Sequence, residues 1–458
     1  MNYELFTILQ QKLRSKLIPL CIFDARYFPV MNYQETVDYL YTRLPVFSRI
    51  GAAALKPSLD NTIALCSFLN NPHHRFKTIH IAGTNGKGSV SHMLAAVLQA
   101  AGFKTGLYTS PHLKDFRERI KINGSMIPEQ NVVDFTARIQ PAIDDLNPSF
   151  FEITVAMAFD YFAQGQVDIA VIETGLGGRL DSTNIITPEL SVITTIGWDH
   201  MNLLGDTLEK IAAEKGGIIK ENIPVVLGNI ESAAKTVLVN MAAAKQADCI
   251  IASEHFQAME WSWQQHRLLV QVAAAHHVDR HTYTLDLPGI YQKDNLLTVL
   301  AAVTQLQSSG WNISQEQLQQ GLANAKKTTG LHGRWELLHQ HPDMIADVAH
   351  NEEGMQMLLQ QLELTTYNHL HIITGMVADK EVDKVLSLMP KQATYYFTQA
   401  GIPRALPAAD LKTKAAVYGL SGQTYSNVNT AIAAAKQQAQ RDDLILVCGS
   451  VFLVGEIE

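Results

Sequence analysis

Residues 78–82 form a short β-branched, apolar run, which predicts a strand. A turn with three glycines follows. Val90, Met93, Leu94, Val97, Leu98 and Ala101 then recur at helical spacing, and Gly102 closes the predicted helix. The alternation continues, with strands predicted at 104–108, 167–172, 190–196 and 225–227 and helical patterns between most of them. Such alternation predicts a mostly parallel sheet wrapped by helices. Residues 250–287 differ: 267–273 and 282–287 read as short alternating strands of a small antiparallel patch. Residues 292–325 return to helix, with Asn312-Ile313-Ser314 as a start signal. After a break at 328–333 a second α/β pattern begins. Its predicted strands are 344–348, 371–374, 394–398 and 444–447, and its helices include 353–362 and 428–437.

At 458 residues the chain exceeds one ordinary core, so two or three domains are expected. The pattern divides it into an extension at 1–30, a first domain at 31–325, a linker at 326–333 and a second domain at 334–458. The apolar fraction of 47% and charged fraction of 17% describe a soluble globular chain. A net charge of −8 argues against a nucleic-acid partner, yet leaves room for anionic ligands bound by local lysines and arginines. Cys21, Cys66, Cys249 and Cys448 are scattered, which suits reduced thiols in a cytoplasmic protein. No apolar stretch is long enough for a membrane span, and Glu4 and the lack of a cleavage-site pattern argue against a signal peptide.

The candidate chemistry starts at Gly83-Thr84-Asn85-Gly86-Lys87-Gly88-Ser89. Strand, glycine turn and helix N-terminus together make a phosphate cradle. Glycines let the backbone approach an anion, and the amides of the first helical turn point at it. Lys87 adds a positive charge, and Ser89 offers a hydroxyl to magnesium. The spacing departs from the common P-loop, because Gly83 is too close and Gly88 separates the lysine from the hydroxyl. Further on, Glu173 ends a buried-type strand and is followed by Thr174-Gly175-Leu176-Gly177-Gly178-Arg179-Leu180-Asp181-Ser182-Thr183-Asn184. An acidic residue at a strand end suits a metal or its water shell, and the glycines permit an irregular loop beside a ligand. Phe150-Phe151-Glu152 precedes a helical pattern at 154–162. A glutamate among aromatics is costly to bury without a partner, although it could simply be a carboxylate at a helix N-terminus.

The G-T-N-G-K-G-S form resembles the Mur ligase superfamily, and the run from Glu173 to Asn184 is similar to its folate branch, the folylpolyglutamate and dihydrofolate synthases. Other segments share the resemblance: Asn32-Tyr33 onward, where family chains commonly begin; Thr109-Ser110-Pro111-His112-Leu113 with Glu118-Arg119-Ile120; Asp199-His200; Glu214-Lys215-Gly216-Gly217; Gly289 to Asn295; Gly333-Arg334-Trp335-Glu336; Asp347-Val348-Ala349-His350-Asn351; and Gly375 to Lys380. His332 stands where the family has a proline. The resemblance implies an N-terminal P-loop ATPase domain, with a mostly parallel sheet plus the antiparallel patch, and a C-terminal Rossmann-like α/β domain. It implies no catalytic part for residues 1–30.

The resemblance also implies roles. ATP would be held by Gly83, Thr84, Asn85, Gly86, Lys87, Gly88 and Ser89, with Asn295 near adenine, Asp347 on the ribose and Arg334 on the phosphates. Two Mg²⁺ ions would draw on Ser89, Glu152, Glu173, His200 and Lys215, the last carrying a carbamate from CO₂. Lys87, Lys215 and His350 would be catalytic; Ser110, Pro111, His112, Arg119 and Asp181 would line the folate side. The implied activity is ATP-dependent addition of L-glutamate to a dihydropteroate or tetrahydrofolate carboxylate through an acyl phosphate, by a monomer. Two rivals share parts of this pattern: a Mur ligase acting on a cell-wall precursor, and a non-enzymatic P-loop switch.

Overall fold

The computed structural model describes residues 31–458, apart from 55, 57, 276–279, 379 and 380. The 1–30 extension, Cys21, Asp379 and Lys380 therefore lie outside the described residues. The described chain starts on the helix Tyr33–Arg43, whose N-cap Asn32 and Glu35 form a reciprocal capping box.

The first sheet has eight strands: β1 (Lys77–Ala82), β2 (Thr105–Tyr108), β3 (Ile120–Ile122), β4 (Ser125–Met126), β5 (Ile169–Glu173), β6 (Leu190–Ile193), β7 (Val225–Leu227) and β8 (Cys249–Ile251). Their order is β4-β3-β2-β5-β1-β6-β7-β8. β1 lies parallel to both β5 and β6, while β3 and β4 add an antiparallel edge. The helix Lys87–Ala100 covers one face, packing Val90, Met93, Leu94 and Val97 over Ile79 and Ile81. The other face packs Tyr108, Ile172 and Ala170 against Phe159 and Phe162. β1, β2, β5 and β6 all end on one side, so the loops that follow them gather at the carboxyl edge, where open α/β sheets bind ligands.

A three-stranded antiparallel sheet follows: β9 (Phe256–Gln264), β10 (Arg267–Ala274) and β11 (Arg280–Leu285), in the order β11-β10-β9. β9 escapes sequence reading because it is an edge strand whose residues are largely exposed, Met259, Trp261 and Trp263 included. The last sheet is formed by β12 (Glu336–His339), β13 (Asp343–Ala346), β14 (Leu370–Thr374), β15 (Thr394–Phe397), β16 (Gly422–Thr424) and β17 (Leu444–Cys448). Its order, β12-β13-β17-β14-β15-β16, is parallel except for β12.

The junction between the two large sheets is a short helix, Ala325–Thr329, ended by Gly330 in the left-handed conformation. Buried Lys121 donates from Nζ to the Thr329 carbonyl at 2.6 Å, capping that helix from β3. Glu336 then draws Lys326, His332 and the Gly333 amide together. Burial opposes ionisation of Glu336, but these three donors outweigh it and hold the carboxyl near pKa 2. Among the described residues no helix is long and apolar enough to cross a membrane.

Candidate active site

The phosphate loop leaves β1 through two glycines at positive φ, Gly83 at 153° and Gly86 at 86°. A Cβ on Gly83 would strike the Thr194 hydroxyl, and one on Gly86 the amide oxygen of Asn295, so both positions need glycine for space as well as conformation. The helix begins at Lys87, two residues before Ser89. Lys87 Nζ donates to the carbonyls of Gly83 (2.9 Å) and Thr84 (3.1 Å). Lys215 is 4% exposed, and its Nζ donates to the same Gly83 carbonyl at 2.8 Å. Two lysines 128 positions apart in sequence thus grip one turn of backbone. Ser89 Oγ accepts from Gln292 Nε2 (3.1 Å), and Gln292 Oε1 accepts from Asn295 Nδ2 (2.8 Å). Asn295 is therefore placed beside Gly86, on the flank of the phosphate loop.

Glu173 reaches this loop from the end of β5. A Cβ on Gly88 would lie 4.0 Å from each of its carboxylate oxygens and 3.4 Å from Arg334 Nη2. Glu173 Oε2 also accepts from the Ser110 amide at 3.3 Å. Burial pushes the carboxyl up to about pKa 7, against the pull of Lys87, the Ser110 amide, Arg334 and Arg119. A buried acid beside the cradle and a serine at the helix start fits a divalent cation that shares its coordination with nucleotide oxygens. Among the described residues no three His, Cys, Asp or Glu side chains are grouped to hold a metal unaided.

Glu152 lies inside the helix Phe150–Gln164, which starts four residues before the pattern at 154 suggests, because Ser149 caps it. Glu152 Oε2 accepts from the Ser149 amide (2.6 Å) and from Asn61 (3.3 Å). Its Oε1 is buried without a hydrogen-bond partner. The capping role read from sequence is thus present, and one oxygen is left over that suits a cation. His200 adopts the left-handed conformation at φ 52° and faces Phe47, with ring centroids 5.7 Å apart. Its Nε2 lies 3.7 Å from Asp199 Oδ2, and His350 Nε2 approaches the same oxygen at 3.6 Å. His350 Nδ1 faces the Val348 carbonyl at 3.0 Å, which makes that nitrogen the N–H donor. Asp199, placed between two histidines from the two domains, is a site residue to which the sequence assigned no role of its own.

The glycine-rich loop after β5 is folded around Asp181. Its Oδ2 accepts from the amides of Gly175 (2.8 Å) and Leu176 (2.9 Å), and its Oδ1 from Thr183 N (3.0 Å) and Oγ1 (2.5 Å). Burial pushes this carboxyl upward in spite of those donors. Asp181 borders the cleft, but its oxygens are occupied in shaping the loop. Thr183 Oγ1 is also 2.9 Å from Nε2 of the fully buried His80 in β1. Because the hydroxyl donates to Asp181, His80 must donate through Nε2–H. Burial, with a smaller push from Lys220, holds the His80 pKa down to about 3. The unfolded chain protonates this ring below about pH 6.5, whereas the folded chain resists until about 3. His80 therefore contributes stability above 6.5 that is lost progressively as pH falls toward 3. Replacing His80 with Gln should flatten that part of the acid dependence of the melting temperature; a profile parallel to the parent's would contradict it.

Asp347 sits at the domain junction. Its carboxylate accepts from Tyr291 OH (2.6 Å), the Trp335 amide (2.8 Å) and the Ala349 amide (2.9 Å). Tyr291 and Trp335 share Oδ2 and Ala349 takes Oδ1, so the carboxylate can accept one more donor, such as a ribose hydroxyl. Beyond the phosphate loop a cleft of about 800 Å³ opens between the domains. One wall carries Tyr41, Phe47, Ser110, Pro111, His112, Arg119, Phe150 and the 175–182 loop; the other carries His350, Met376, Arg404 and Ser450 to Phe452. His112 accepts from Arg119 Nε at Nδ1 (2.7 Å), so its Nε2 carries the proton and donates to the Tyr41 hydroxyl oxygen (3.0 Å). Burial and the nearby Arg119 guanidinium keep its pKa down to about 3, so the ring is neutral. The Arg119 guanidinium lies 5.3 Å above the Phe150 ring. This wall, aromatic with a few fixed polar groups, suits a flat heteroaromatic ligand. Phe47 and Arg404, which stack at 4.6 Å across the domains, carried no sequence signal: 47 lies in a four-residue helix and 404 in a loop.

Residues 81–303 match the Mur ligase middle domain, and residues 333–451 match the glutamate ligase domain of Mur ligases. The fold and the cradle thus define an ATP-dependent acid–amino-acid ligase of the Mur type. The chain is 32% identical over 445 residues to the dihydrofolate synthase/folylpolyglutamate synthase of Bacillus subtilis, covering 93% of this chain and 98% of the relative. It is 33% identical to the folylpolyglutamate synthase of Lacticaseibacillus casei, with the same coverage. The structure of Escherichia coli FolC in complex with DHPP and ADP aligns with a TM-score of 0.80 at 29% identity, over 93% of this chain and 97% of that one. The chain belongs to the folylpolyglutamate synthase/dihydrofolate synthase family of Mur ligases.

Proposed function

We propose that the chain joins L-glutamate to the carboxylate of dihydropteroate or of a tetrahydrofolate, serving as both dihydrofolate synthase and folylpolyglutamate synthase. The observation that carries this reading is the convergence of Lys87, Glu173 and Arg334 on the first turn of the phosphate helix, with Glu173 bound to the amide of Ser110 in the aromatic cleft wall. In the first step a substrate carboxylate oxygen attacks the γ-phosphorus of ATP, the bond to the β-phosphate oxygen breaks, and ADP leaves. In the second, the glutamate nitrogen attacks the acyl carbon, the carbon–oxygen bond to phosphate breaks, and the nitrogen gives up its proton. Phosphorylation supplies the leaving group that a carboxylate lacks. The protein's work is positioning and charge neutralisation, by the loop amides, Lys87 and Arg334.

Two magnesium ions would draw on Ser89, Glu152, Glu173, His200 and a carbamylated Lys215; the nearness of Glu173 to the cradle that carries Ser89 and the unpartnered Glu152 Oε1 support that reading. When bound they would offset phosphate charge. Carbamylation would turn the Lys215 cation into an oxygen donor able to help hold the second ion. Both walls of the cleft come from one chain, which supports a monomer, and the described cysteines are free thiols, as a cytoplasmic setting allows.

Incubation with ATP, glutamate and either dihydropteroate or tetrahydrofolate should yield an acceptor heavier by one glutamyl residue; no such product from either would end this reading. Arg334 opens the second domain and reaches the phosphate helix of the first. Arg334→Ala should therefore raise the KM for ATP and reduce the compaction seen by solution scattering on addition of an ATP analogue and folate. Normal kinetics with an unchanged radius would contradict the interdomain placement.

A further inference from the structure

Asn85 is held from two sides. Its own domain holds its backbone: the amide donates to Thr195 Oγ1 (2.9 Å), and the carbonyl accepts from Thr194 Oγ1 (2.6 Å) and Thr195 Oγ1 (3.1 Å). The C-terminal domain holds its side chain. Asn85 and Asn351 pair as reciprocal amides, at 3.3 Å from Asn85 Nδ2 to Asn351 Oδ1 and 3.2 Å in the other direction. Asn85 Nδ2 also reaches Glu353 Oε2 at 3.4 Å, and Glu353 Oε1 accepts from the Trp198 amide at 3.1 Å. Residue 197 is glycine, and a Cβ there would overlap the Glu353 carboxylate. Asn351 is itself fixed, because its Oδ1 caps the helix Glu352–Glu363 through the Gly354 amide at 2.8 Å. One helix start of the second domain thus touches both the phosphate loop and the loop that carries His200.

We infer that Asn351 and Glu353 are positioning residues: they clamp Asn85 and the Trp198 amide when the domains dock, so that the acyl phosphate is held in a closed cleft, away from water, until glutamate attacks it. The argument rests on the proposed function for the identity of that intermediate. Neither residue reaches the cleft wall beside Arg119 and Phe150, so the clamp senses docking rather than the folate. The matched amide pair satisfies two donors and two acceptors only when the domains meet; apart, water must replace every partner. The Glu353 carboxylate is half-buried here, and burial raises its pKa despite the Trp198 amide, with Glu231, Glu352 and Asp199 adding repulsion. Its stay at the interface therefore depends on the donors from the first domain. An acyl phosphate is prone to attack by water, and closure that excludes water is the general remedy.

Glu353→Ala removes both acceptors. Asn351→Asp keeps the helix cap but loses the donor to Asn85 Oδ1. The discriminating reading is the ratio of phosphate released to glutamate incorporated, since a merely structural defect lowers both together. The ratio should rise several-fold in each variant, with Glu353→Gln nearer to the parent and ADP binding unchanged. Solution scattering of the AMPPCP-bound proteins gives a reading that does not depend on the acceptor: both variants should show a larger radius of gyration than the parent. A parental ratio in both variants, or an unchanged radius in both, overturns the clamp. Failure of the parent to form any glutamyl product would instead remove the proposed function, leaving the scattering result to decide the clamp.

Discussion

Lys87→Ala should lower turnover by about 10²-fold or more while leaving the protein folded. The lysine opens the phosphate helix and holds the carbonyls of Gly83 and Thr84, next to where the transferred phosphoryl group must sit. Charge grows on that group as the bond to ADP breaks, and a fixed cation in a confined site opposes it more effectively than water does. The structural cost should be small. Two hydrogen bonds to a turn are lost, each worth about 1 kcal/mol, in a loop whose shape is also held by Gly83, Gly86, Thr194 and Thr195. Turnover close to the parent's would remove the phosphate-site assignment, and a collapsed melting temperature would show that the lysine is structural.

Lys215→Ala should be comparably damaging, with a loss of about 10²-fold or more. Lys215 is buried at the end of the helix Leu208–Gly216, beneath the loop that Asp181 organises. There Arg179 N donates to the Glu214 carbonyl (2.8 Å), and Asn184 Nδ2 donates to that of Gly217 (3.0 Å). Neither Gly178 nor Gly217 could carry a Cβ without striking this packing. The lysine is thus presented at a fixed point beside Gly83. If its role is carried by a carbamate, Lys215→Arg should be as inactive as Lys215→Ala. Enzyme stripped of CO₂ should lose activity and regain it with bicarbonate. High-resolution density should show the added carboxylate. An unmodified Lys215 in an active, metal-bound enzyme would contradict the carbamate.

The parts of this site that were legible in the sequence share one physical property: each is fixed by local chain geometry. The cradle at 83–89 is a continuous strand, turn and helix start, and its glycines answer to backbone contacts within a few ångströms. Glu173 could be read because it ends an apolar strand. Most of the parallel strands could be read because they are buried on both faces and largely apolar, whereas the short, exposed β16 could not. Where tertiary contacts decide, the sequence is quieter. Residues 194–196 look like more of β6, yet Thr194 and Thr195 leave the sheet to hold Asn85. Asp181 looks like a ligand-facing acid, but its oxygens are spent on the amides of its own loop. The pairing of Asn85 with Asn351, 266 positions away, has no local signature at all. Arg404 and Phe47 meet only because the domains dock.

The central claim is tested most directly by phosphate release from ATP in the presence of glutamate and one acceptor at a time: dihydropteroate, tetrahydrofolate or a cell-wall nucleotide precursor. The account predicts acceptor-dependent release with the first two, matched by glutamate incorporation, and none with the third. Release with the cell-wall precursor alone, or hydrolysis that no acceptor and no glutamate alters, would contradict it.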